Sequence, residues 1–534
     1  MNRFATCLSF FLLASALPLA AQAPAAETFS GSIDVRVVNV EAVVTDHRGQ
    51  RVTGLTAKDF RLLIDGHETP IESFAEVGGG QSRPAASAGP APPAAGTAEP
   101  AGAREGRSLV VFIDDSFAVK THRDMVLKKL GEQLGRLEPS DRVAVVAFDG
   151  ERLAVLSGWA SGREALAAVV AKAQRRPAAG IAVTAKRRAA QEDALFLAQI
   201  EADINGDESS AAGPSLSTSR LYSQPLSSGV GDPILSRRLE KIPIAITATM
   251  RQFSRAPGRK LMLLLSGGWP SPAVVFQVAG EANRLGYTLY PVDVSGIDTT
   301  FAENDAALDG PTPPGLRRDS WEADSEYILE LLARATGGKT SINGNRLEAL
   351  PRTLEDTRSY YWLSFTPRWA GDDRSHGIKL EALRPGLTVR SRRSFADLSQ
   401  ATRTKLVSQE LLFFGNDPER RQLGVKVGKP EKTDRDDRRV PVDLAIPVLA
   451  FAAGREGRAA AELVLSAQSL DDAGTRRMFP EAPVRVALDP ASAPDGTAHF
   501  QITLPLRGRG QRLTFTLREA ASGEVIWGEA RVAL

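Results

Sequence analysis

The chain has 534 residues, of which 43% are hydrophobic and 24% charged, so it is long enough to form about two to four globular domains with sizeable cores. Its 66 Lys and Arg residues nearly cancel its 64 Asp and Glu residues, which leaves a formal net charge of +2. This balance gives no electrostatic reason to expect nucleic acid or an anionic membrane as a partner.

The N-terminal segment 1–23 has the features of a signal peptide. Arg3 provides a short positive region, an apolar run extends from Leu8 to Leu19, and small residues up to Ala23 suit a cleavage site. The apolar run is too short for a spanning helix, and an uncleaved N-terminal anchor is the alternative. We therefore expect export to the periplasm or the extracellular space, with no transmembrane segment after cleavage.

The single cysteine, Cys7, lies inside this segment. The mature chain is therefore expected to have no cysteine, which excludes disulfides, thiol nucleophiles and cysteine metal sites. Export without disulfides is ordinary for a bacterial envelope protein whose cores are large.

Two segments of different composition follow. Residues 30–77 contain dense β-branched runs and turn sequences such as Asp65-Gly66, which predict an N-terminal β module. Residues 78–106 are mostly Gly, Ala, Pro and Ser without apolar periodicity, which predicts a disordered linker.

Residues 107–358 alternate between continuous apolar runs and helical patterns. Buried strands are predicted at 108–113, 142–148, 260–265 and 287–292. Helices are predicted at about 121–137, 161–175, 244–255, 273–285, 325–335 and 346–357. This alternation predicts an α/β fold with a doubly wound, mostly parallel sheet.

An insertion at 177–240 interrupts the alternation. It contains a predicted helix at about 186–204 and a Ser/Gly/Pro-rich tract at 205–233. Disorder is the favoured interpretation of the second part, because long loops inside a compact domain are usually either functional or disordered.

The chain then returns to strand patterns. Residues 359–396 are expected to form β strands that pack with the N-terminal module. From 408 to 534 only β patterns are found, at 423–428, 440–449, 461–468, 483–488, 498–506, 512–518 and 523–533. Seven short strands separated by turn sequences predict a C-terminal immunoglobulin-like β-sandwich.

The order of several segments resembles a known family. The sequences VTGLTAKDFRLLIDG, FIDDS, LLLSGG, GYTLYPVDVSG, LARATGGKT and RSYYWLSFTP occur in this order between about residues 30 and 396. Together they resemble the von Willebrand factor type A (vWA)-related family of secreted bacterial proteins of the acidobacterial type. The resemblance implies a central, mainly parallel sheet with helices on both faces and a ligand site at its C-terminal edge.

Metal-binding vWA domains have a D-x-S-x-S loop at that edge, and here Asp114, Ser116 and Ala118 occupy its positions. Ser266 stands where many vWA domains have an Asp, and Thr184 is a poor candidate for their threonine ligand. One interpretation is a degenerate metal site formed by Asp114, Ser116 and Ser266. The favoured alternative is that Asp114 and Ser116 cap the following helix, since an incomplete oxygen set binds Mg²⁺ poorly.

The same edge is the predicted site of partner binding. Loops 114–118 and 266–270 follow two parallel strands and should therefore be neighbours, with a crevice for ligands outside the strand ends. Asp115, Ala118, Gly267 and Gly268 are expected to line it. No cofactor is expected, and Mg²⁺, Mn²⁺ or Ca²⁺ should bind only weakly.

No catalytic pattern stands out elsewhere. The five histidines lack H-x-x-H spacing and are expected at the surface or in turns, namely His47, His67, His122, His376 and His499. The chain has no G-x-S-x-G, P-loop or H-E-x-x-H sequence. We therefore predict an exported, non-enzymatic adhesion or scaffold protein that binds a protein partner in the envelope or extracellular space. The alternatives are a structural spacer in an envelope assembly, or a hydrolase acting on envelope polymers through Asp114 and Asp115.

Overall fold

The computed structural model describes residues 37–78, 81–84, 106–180, 233–269, 272–295, 320–369, 371–414, 423–433, 437–452, 460–471, 475–488, 496–508, 510–520 and 522–534. The predicted signal peptide, Thr184, the predicted helix at 186–204 and nearly all of the Ser/Gly/Pro-rich tract lie outside these ranges.

The N-terminal segment forms five strands in chain order: β1 Val38–Thr45, β2 Phe60–Ile64, β3 His67–Glu68, β4 Ser73–Gly78 and β5 Gln81–Pro84. Asp65 and Gly66 both have positive φ in the β2–β3 turn, as a tight hairpin turn requires. Strand β5 lies inside the predicted linker, and this part of the disorder prediction is wrong. Pairing with the backbone of β4 needs no apolar side chains, so composition did not reveal it.

A five-stranded sheet lies at the centre of the next segment. Its elements are β6 Arg107–Asp114, α1 Lys120–Gln133, β7 Arg142–Phe148, β8 Leu153–Ala160, α2 Arg163–Gln174, α3 Pro233–Gln252, β9 Arg259–Ser266, α4 Pro272–Leu285, β10 Tyr287–Asp293, α5 Ser320–Thr336 and α6 Ala349–Asp356. The strand order is β10-β9-β6-β7-β8, parallel except for the β7–β8 pair at one edge. Helix α3 begins at Pro233, eleven residues before the predicted start, so part of the predicted insertion is helical.

Helices pack on both faces of this sheet. Val110 and Phe112 of β6 belong to a core shared with α3, α4 and α5, whereas Leu109, Val111 and Ile113 belong to a second core with α1, α2 and α6. Neighbouring residues of a strand point to opposite faces, so both faces of β6 require apolar side chains. This explains the continuous apolar runs in the sequence.

The chain then forms β11 Ser359–Phe365, β12 Arg374–Ala382, β13 Thr388–Ser391 and β14 Ser394–Asp397. They pair with the N-terminal strands in two sheets, of order β13-β1-β11-β4-β5 and β14-β12-β2-β3. The two sheets share one apolar core. Among the described strands, none of these joins the central sheet.

The C-terminal segment begins with a helix, α7 Gln400–Phe414, where residues from 408 onward were expected to be β only. That expectation is wrong for this stretch. Its apolar residues cluster at one end and give no clear helical stripe, but Gln, Lys, Glu and Leu favour helix, and Leu411 and Leu412 are buried.

Strands and one short helix follow: β15 Gly424–Val427, β16 Glu431–Lys432, β17 Asp437–Pro447, α8 Leu449–Ala452, β18 Ala460–Asp471, β19 Arg476–Met478, β20 Ala482–Ala487, β21 Thr497–Arg507, β22 Gly510–Glu519 and β23 Val525–Ala533. They form two antiparallel sheets, one around β17 and one around β18 and β22, and both contribute to a single apolar core. The immunoglobulin-like assignment stays a prediction. In the described part of the chain, no helix has the length and hydropathy needed to cross a bilayer.

Candidate functional site

Three adjacent parallel strands end together at one edge of the central sheet. Strand β6 ends at Asp114, β9 at Ser266 and β10 at Asp293. Asp293 is the direct partner of Ser266 across the β9–β10 pair. The loops that follow these strands therefore begin side by side.

Asp114 joins two of these loops. Its Oδ1 atom accepts hydrogen bonds from the backbone N–H of Ser116 at 3.2 Å and from the Ser116 hydroxyl at 2.5 Å. Its Oδ2 atom accepts hydrogen bonds from the Ser266 hydroxyl at 2.7 Å and from Nε1 of Trp269 at 3.1 Å. Asp114, Ser116, Ser266 and Trp269 have no exposed surface. The three predicted metal-site residues are thus neighbours, while their use as metal ligands stays a prediction.

The surroundings of Asp114 have two opposing electrostatic effects. Burial raises the pKa of its carboxyl group, because the charged form loses its hydration. The hydrogen bonds from Ser116, Ser266 and Trp269 act in the opposite direction and favour the charged form, but the effect of burial is larger and the pKa stays above its ordinary value. The carboxylate is therefore held by donors of the protein itself, which satisfy both of its oxygen atoms.

The small residues of the predicted partner edge lie where backbones approach closely. Gly267 is buried, and a Cβ atom there would lie 2.2 Å from the carbonyl oxygen of Phe117. Gly268 is also buried and has a φ of +79°, which favours glycine. The backbone N–H of Ala118 donates to the Asp114 carbonyl, and its own carbonyl accepts from Gly180. These residues form the covered inner part of the edge, and their role in partner binding stays a prediction.

Asp115 belongs to a separate, buried ion-pair group. It accepts hydrogen bonds from Nη1 of Arg123 at 2.5 Å and from Nε of Arg176 at 2.7 Å. Arg123 has no exposed surface and also donates to the carbonyls of Gln174, Arg176 and Pro177. Burial raises the pKa of Asp115, against the opposing effect of the two arginines. These ion pairs and hydrogen bonds hold the segment after α2 against the loop that follows β6.

Two residues that the sequence analysis did not single out also belong to this edge. Trp269 was missed because nothing in an SGGW sequence shows that its indole returns to Asp114. Asp293 is buried, its Oδ1 atom accepts from the backbone N–H of Ser295 at 2.9 Å, and its Oδ2 atom has no hydrogen-bond partner among the described residues. Burial raises its pKa, while Arg346 and His122 act in the opposite direction. Its position directly after a buried strand was the available clue.

No family model matches the chain, and no curated protein matches it. Among solved structures, it is similar to an aerotolerance-related membrane protein from Bacteroides fragilis carrying multiple mutations to serine. The identity is 12% and the TM-score 0.26, over 47% of this chain and 98% of the other.

The manganese-loaded TRAP protein of Plasmodium vivax is also 12% identical, with a TM-score of 0.24 over 55% of this chain and 95% of the other. A β-glucuronidase from Bacteroides uniformis is 10% identical, with a TM-score of 0.16 over 34% of this chain and only 19% of the enzyme. TM-scores this low carry no argument about fold or function. A vWA fold therefore stays a prediction from the sequence resemblance, and the mainly parallel central sheet agrees with it.

Proposed function

We propose that this chain is an exported, vWA-like protein-binding module whose C-terminal sheet edge works without a bound metal ion. A mainly parallel sheet with helices on both faces is the arrangement that the family resemblance implies. The partner is a protein of the bacterial envelope or of the extracellular space. Export is supported by the sequence of residues 1–23.

The observation that carries this proposal is that hydrogen-bond donors of the protein already occupy both carboxylate oxygens of Asp114, an arrangement called saturation below. A Mg²⁺ or Mn²⁺ ion requires several oxygen atoms in near-octahedral geometry. The hydroxyls of Ser116 and Ser266 are instead directed at Asp114, Ala118 offers no side-chain oxygen, and the Trp269 N–H cannot act as a ligand. Metal binding at this position would have to break these hydrogen bonds.

The same contacts weigh against a hydrolase that uses the adjacent carboxylates. A general acid or base needs a carboxyl group within hydrogen-bond reach of its substrate. Both oxygen atoms of Asp115 accept hydrogen bonds from arginines, and both of Asp114 are occupied as described. Neither group faces solvent, since their exposed fractions are 1% and 0%.

The experiment combines metal titration with partner capture. Calorimetry of the mature protein with Mg²⁺ and Mn²⁺ should give no saturable heat at millimolar concentrations. Capture of the envelope partner should be unchanged by a chelator. Tight Mg²⁺ or Mn²⁺ binding that is lost in Asp114→Ala would overturn the metal-independent proposal.

Exposed residues beside the edge test the location; because Lys120 pairs with Asp124 and donates to the Gln174 carbonyl, each variant is first checked for unchanged stability. Lys120 begins α1 directly after the loop that follows β6, and Arg152 lies in the turn after β7; both are exposed. The double variant Lys120→Glu with Arg152→Glu should lose the partner, whereas the control Arg485→Glu, exposed on β20, should retain it. Equal capture by both variants would favour the structural-spacer alternative.

A further inference from the structure

A histidine and two carboxylates come together at β12 and β14, in the sheet that these strands form with β2 and β3 of the N-terminal module and outside the central sheet. Asp372 precedes β12, His376 lies within β12, and Asp397 ends β14. One side-chain ligand atom from each residue lies within 4.8 Å of the other two. The sequence analysis expected His376 to be a surface or turn residue, but it is only 8% exposed.

The ring of His376 is held in one orientation by two neighbours. Its Nδ1 atom lies 2.8 Å from Oδ2 of Asp65, and the other oxygen of Asp65 accepts the backbone N–H of Gly377 at 2.7 Å. The ring also stacks on Trp369, with centroids 3.9 Å apart and planes inclined by 11°. Because an ionised carboxylate can only accept, Nδ1 carries the proton of this hydrogen bond.

The opposite nitrogen of the ring faces the two remaining carboxylates. Nε2 of His376 lies 3.4 Å from Oδ1 of Asp372. Asp397 has no exposed surface, and its Oδ2 atom accepts the backbone N–H groups of Gly371 and Asp372 at 2.6 and 3.3 Å, which fixes its carboxylate beneath this turn. With Nδ1 donating to Asp65, Nε2 is the ring nitrogen that faces Asp372 and is placed to act as a ligand. A cation placed among these atoms would be attracted by both carboxylates.

A divalent metal ion fits the 3.4 Å distance between His376 and Asp372, and the 4.8 Å limit places Asp397 near enough to contribute a third ligand. Zinc binds histidine nitrogen and carboxylate oxygen at about 2.0–2.2 Å, so two ligands of a tetrahedral site lie about 3.4 Å apart. A carboxylate that accepts the proton of the non-ligating histidine nitrogen is the usual outer partner of such a ligand. Asp372 is 37% exposed in its side chain, which gives an ion access from solvent.

We propose that Asp372, His376 and Asp397 bind a divalent transition-metal ion of the Zn²⁺ type, with Asp65 orienting His376 and solvent completing the coordination. Imidazole together with carboxylates favours Zn²⁺ over the Mg²⁺ or Ca²⁺ that all-oxygen sites select. The ion would join β12 to β14 and to the β2–β3 turn, which contains Asp65. The competing explanation is a doubly protonated His376 between Asp65 and Asp372.

The test is titration of the metal-stripped full chain with Zn²⁺ by calorimetry, and with Co²⁺ by its visible absorption. Wild type should bind one ion per chain. His376→Ala should abolish binding, and Asp372→Asn should weaken it strongly. Asp65→Asn should weaken it by about 10–100-fold, the usual effect of removing such an orienting partner.

The matched control is His499→Ala. His499 also pairs with a carboxylate, Asp443, at 2.9 Å but is exposed and, within the described part of the chain, belongs to no such three-residue group. This variant should bind Zn²⁺ as wild type does. Trp369 provides a second readout, because an ion on the stacked ring should change the indole fluorescence of wild type and not of His376→Ala.

The results separate the two explanations. If wild type binds neither Zn²⁺ nor Co²⁺, or if His376→Ala and Asp372→Asn bind as tightly as wild type, the metal site is refuted. In the first case, a ring NMR spectrum with protons on both nitrogens of His376 at neutral pH would identify the imidazolium instead. Near-ultraviolet circular dichroism of Asp372→Asn shows whether a loss of binding reflects a lost ligand or lost folding, since this conservative change is at an exposed position.

Discussion

Asp356, at the end of α6, is the charged centre where several segments meet. Nη2 of Arg390 lies 2.6 Å from both of its carboxylate oxygens. Arg51 and Lys339 contact the same carboxylate at 3.1 and 3.0 Å, and the Tyr290 hydroxyl donates to it at 2.9 Å. Arg51 comes from the N-terminal module, Arg390 from β13, and Lys339 and Tyr290 from the α/β segment, so Asp356 joins these three parts of the chain.

The magnitude of its contribution follows from its pKa. Burial alone would raise the pKa of Asp356, but Arg390 and Lys339 outweigh burial and lower it from 3.8 to about 2. A shift of nearly two pKa units corresponds to about 2.5 kcal/mol of folding free energy. Because the pKa is lower in the folded state, this stabilisation is fully present above pH 4 and is lost as the pH falls towards 2.

The test is urea unfolding of wild type and Asp356→Asn at a series of pH values. At pH 7 the variant should lose at least about 2.5 kcal/mol, because Arg51, Arg390 and Lys339 keep their charges without a counter-ion. The difference in unfolding free energy between wild type and Asp356→Asn should become smaller from pH 4 down to the lowest pH at which both proteins fold. Glu355→Gln, at the neighbouring position whose side chain is 71% exposed, should change stability by less than about 0.5 kcal/mol throughout.

This reasoning would be refuted if the difference in unfolding free energy between wild type and Asp356→Asn stayed constant down to the lowest measurable pH. The loss would then come from packing or from hydrogen-bond geometry rather than from the charge of the carboxylate. A large effect of Glu355→Gln would instead show that α6 as a whole is sensitive to substitution.

Substitutions at the sheet edge test the contacts there by urea unfolding. Trp269→Phe should lower the unfolding free energy by about 1.5–3 kcal/mol, because it removes one hydrogen bond to a buried carboxylate. An unchanged unfolding free energy would mean that the indole contact contributes nothing to stability. Gly267→Ala should destabilise strongly because of its 2.2 Å approach to a backbone oxygen, unlike Gly135→Ala, where no atom lies within 4 Å. Arg123→Met should cost about 3–5 kcal/mol and speed hydrogen exchange at 177–180, where protection equal to wild type would contradict the role of these contacts in holding this segment.

The central strands could be predicted because a strand that is buried on both faces has a continuous apolar run in its sequence. The predicted runs 108–113, 142–148, 260–265 and 287–292 correspond to strands at 107–114, 142–148, 259–266 and 287–293. The adjacency of the loops that begin at Asp114 and Ser266 followed from parallel strand direction. Other segments, such as β5 and α7, form secondary structure because of backbone pairing or tertiary packing. Their sequences contain no comparable apolar pattern.

The partners of the site residues could not be predicted, for a different reason. Hydrogen bonds from Trp269 to Asp114, and from Arg176 to Asp115, join positions far apart in the chain. Side-chain direction across such distances is set by the packing of several elements and not by local periodicity. The sequence therefore indicated which oxygens gather at the edge, but not that donors of the protein already occupy them.

The saturation of Asp114 has a consequence for how the proposed module would recognise its partner. A buried carboxylate needs compensating donors or a cation, and here Ser116, Ser266 and Trp269 fill that need. Under the proposed function, an edge organised in this way should not depend on a metal ion to attract an acidic side chain. Two exposed cations, Arg152 and the Asp124-paired Lys120, lie beside it, and we expect them to attract one directly. Partner binding should then weaken with added salt, because such exposed charges are screened, and should be insensitive to chelator.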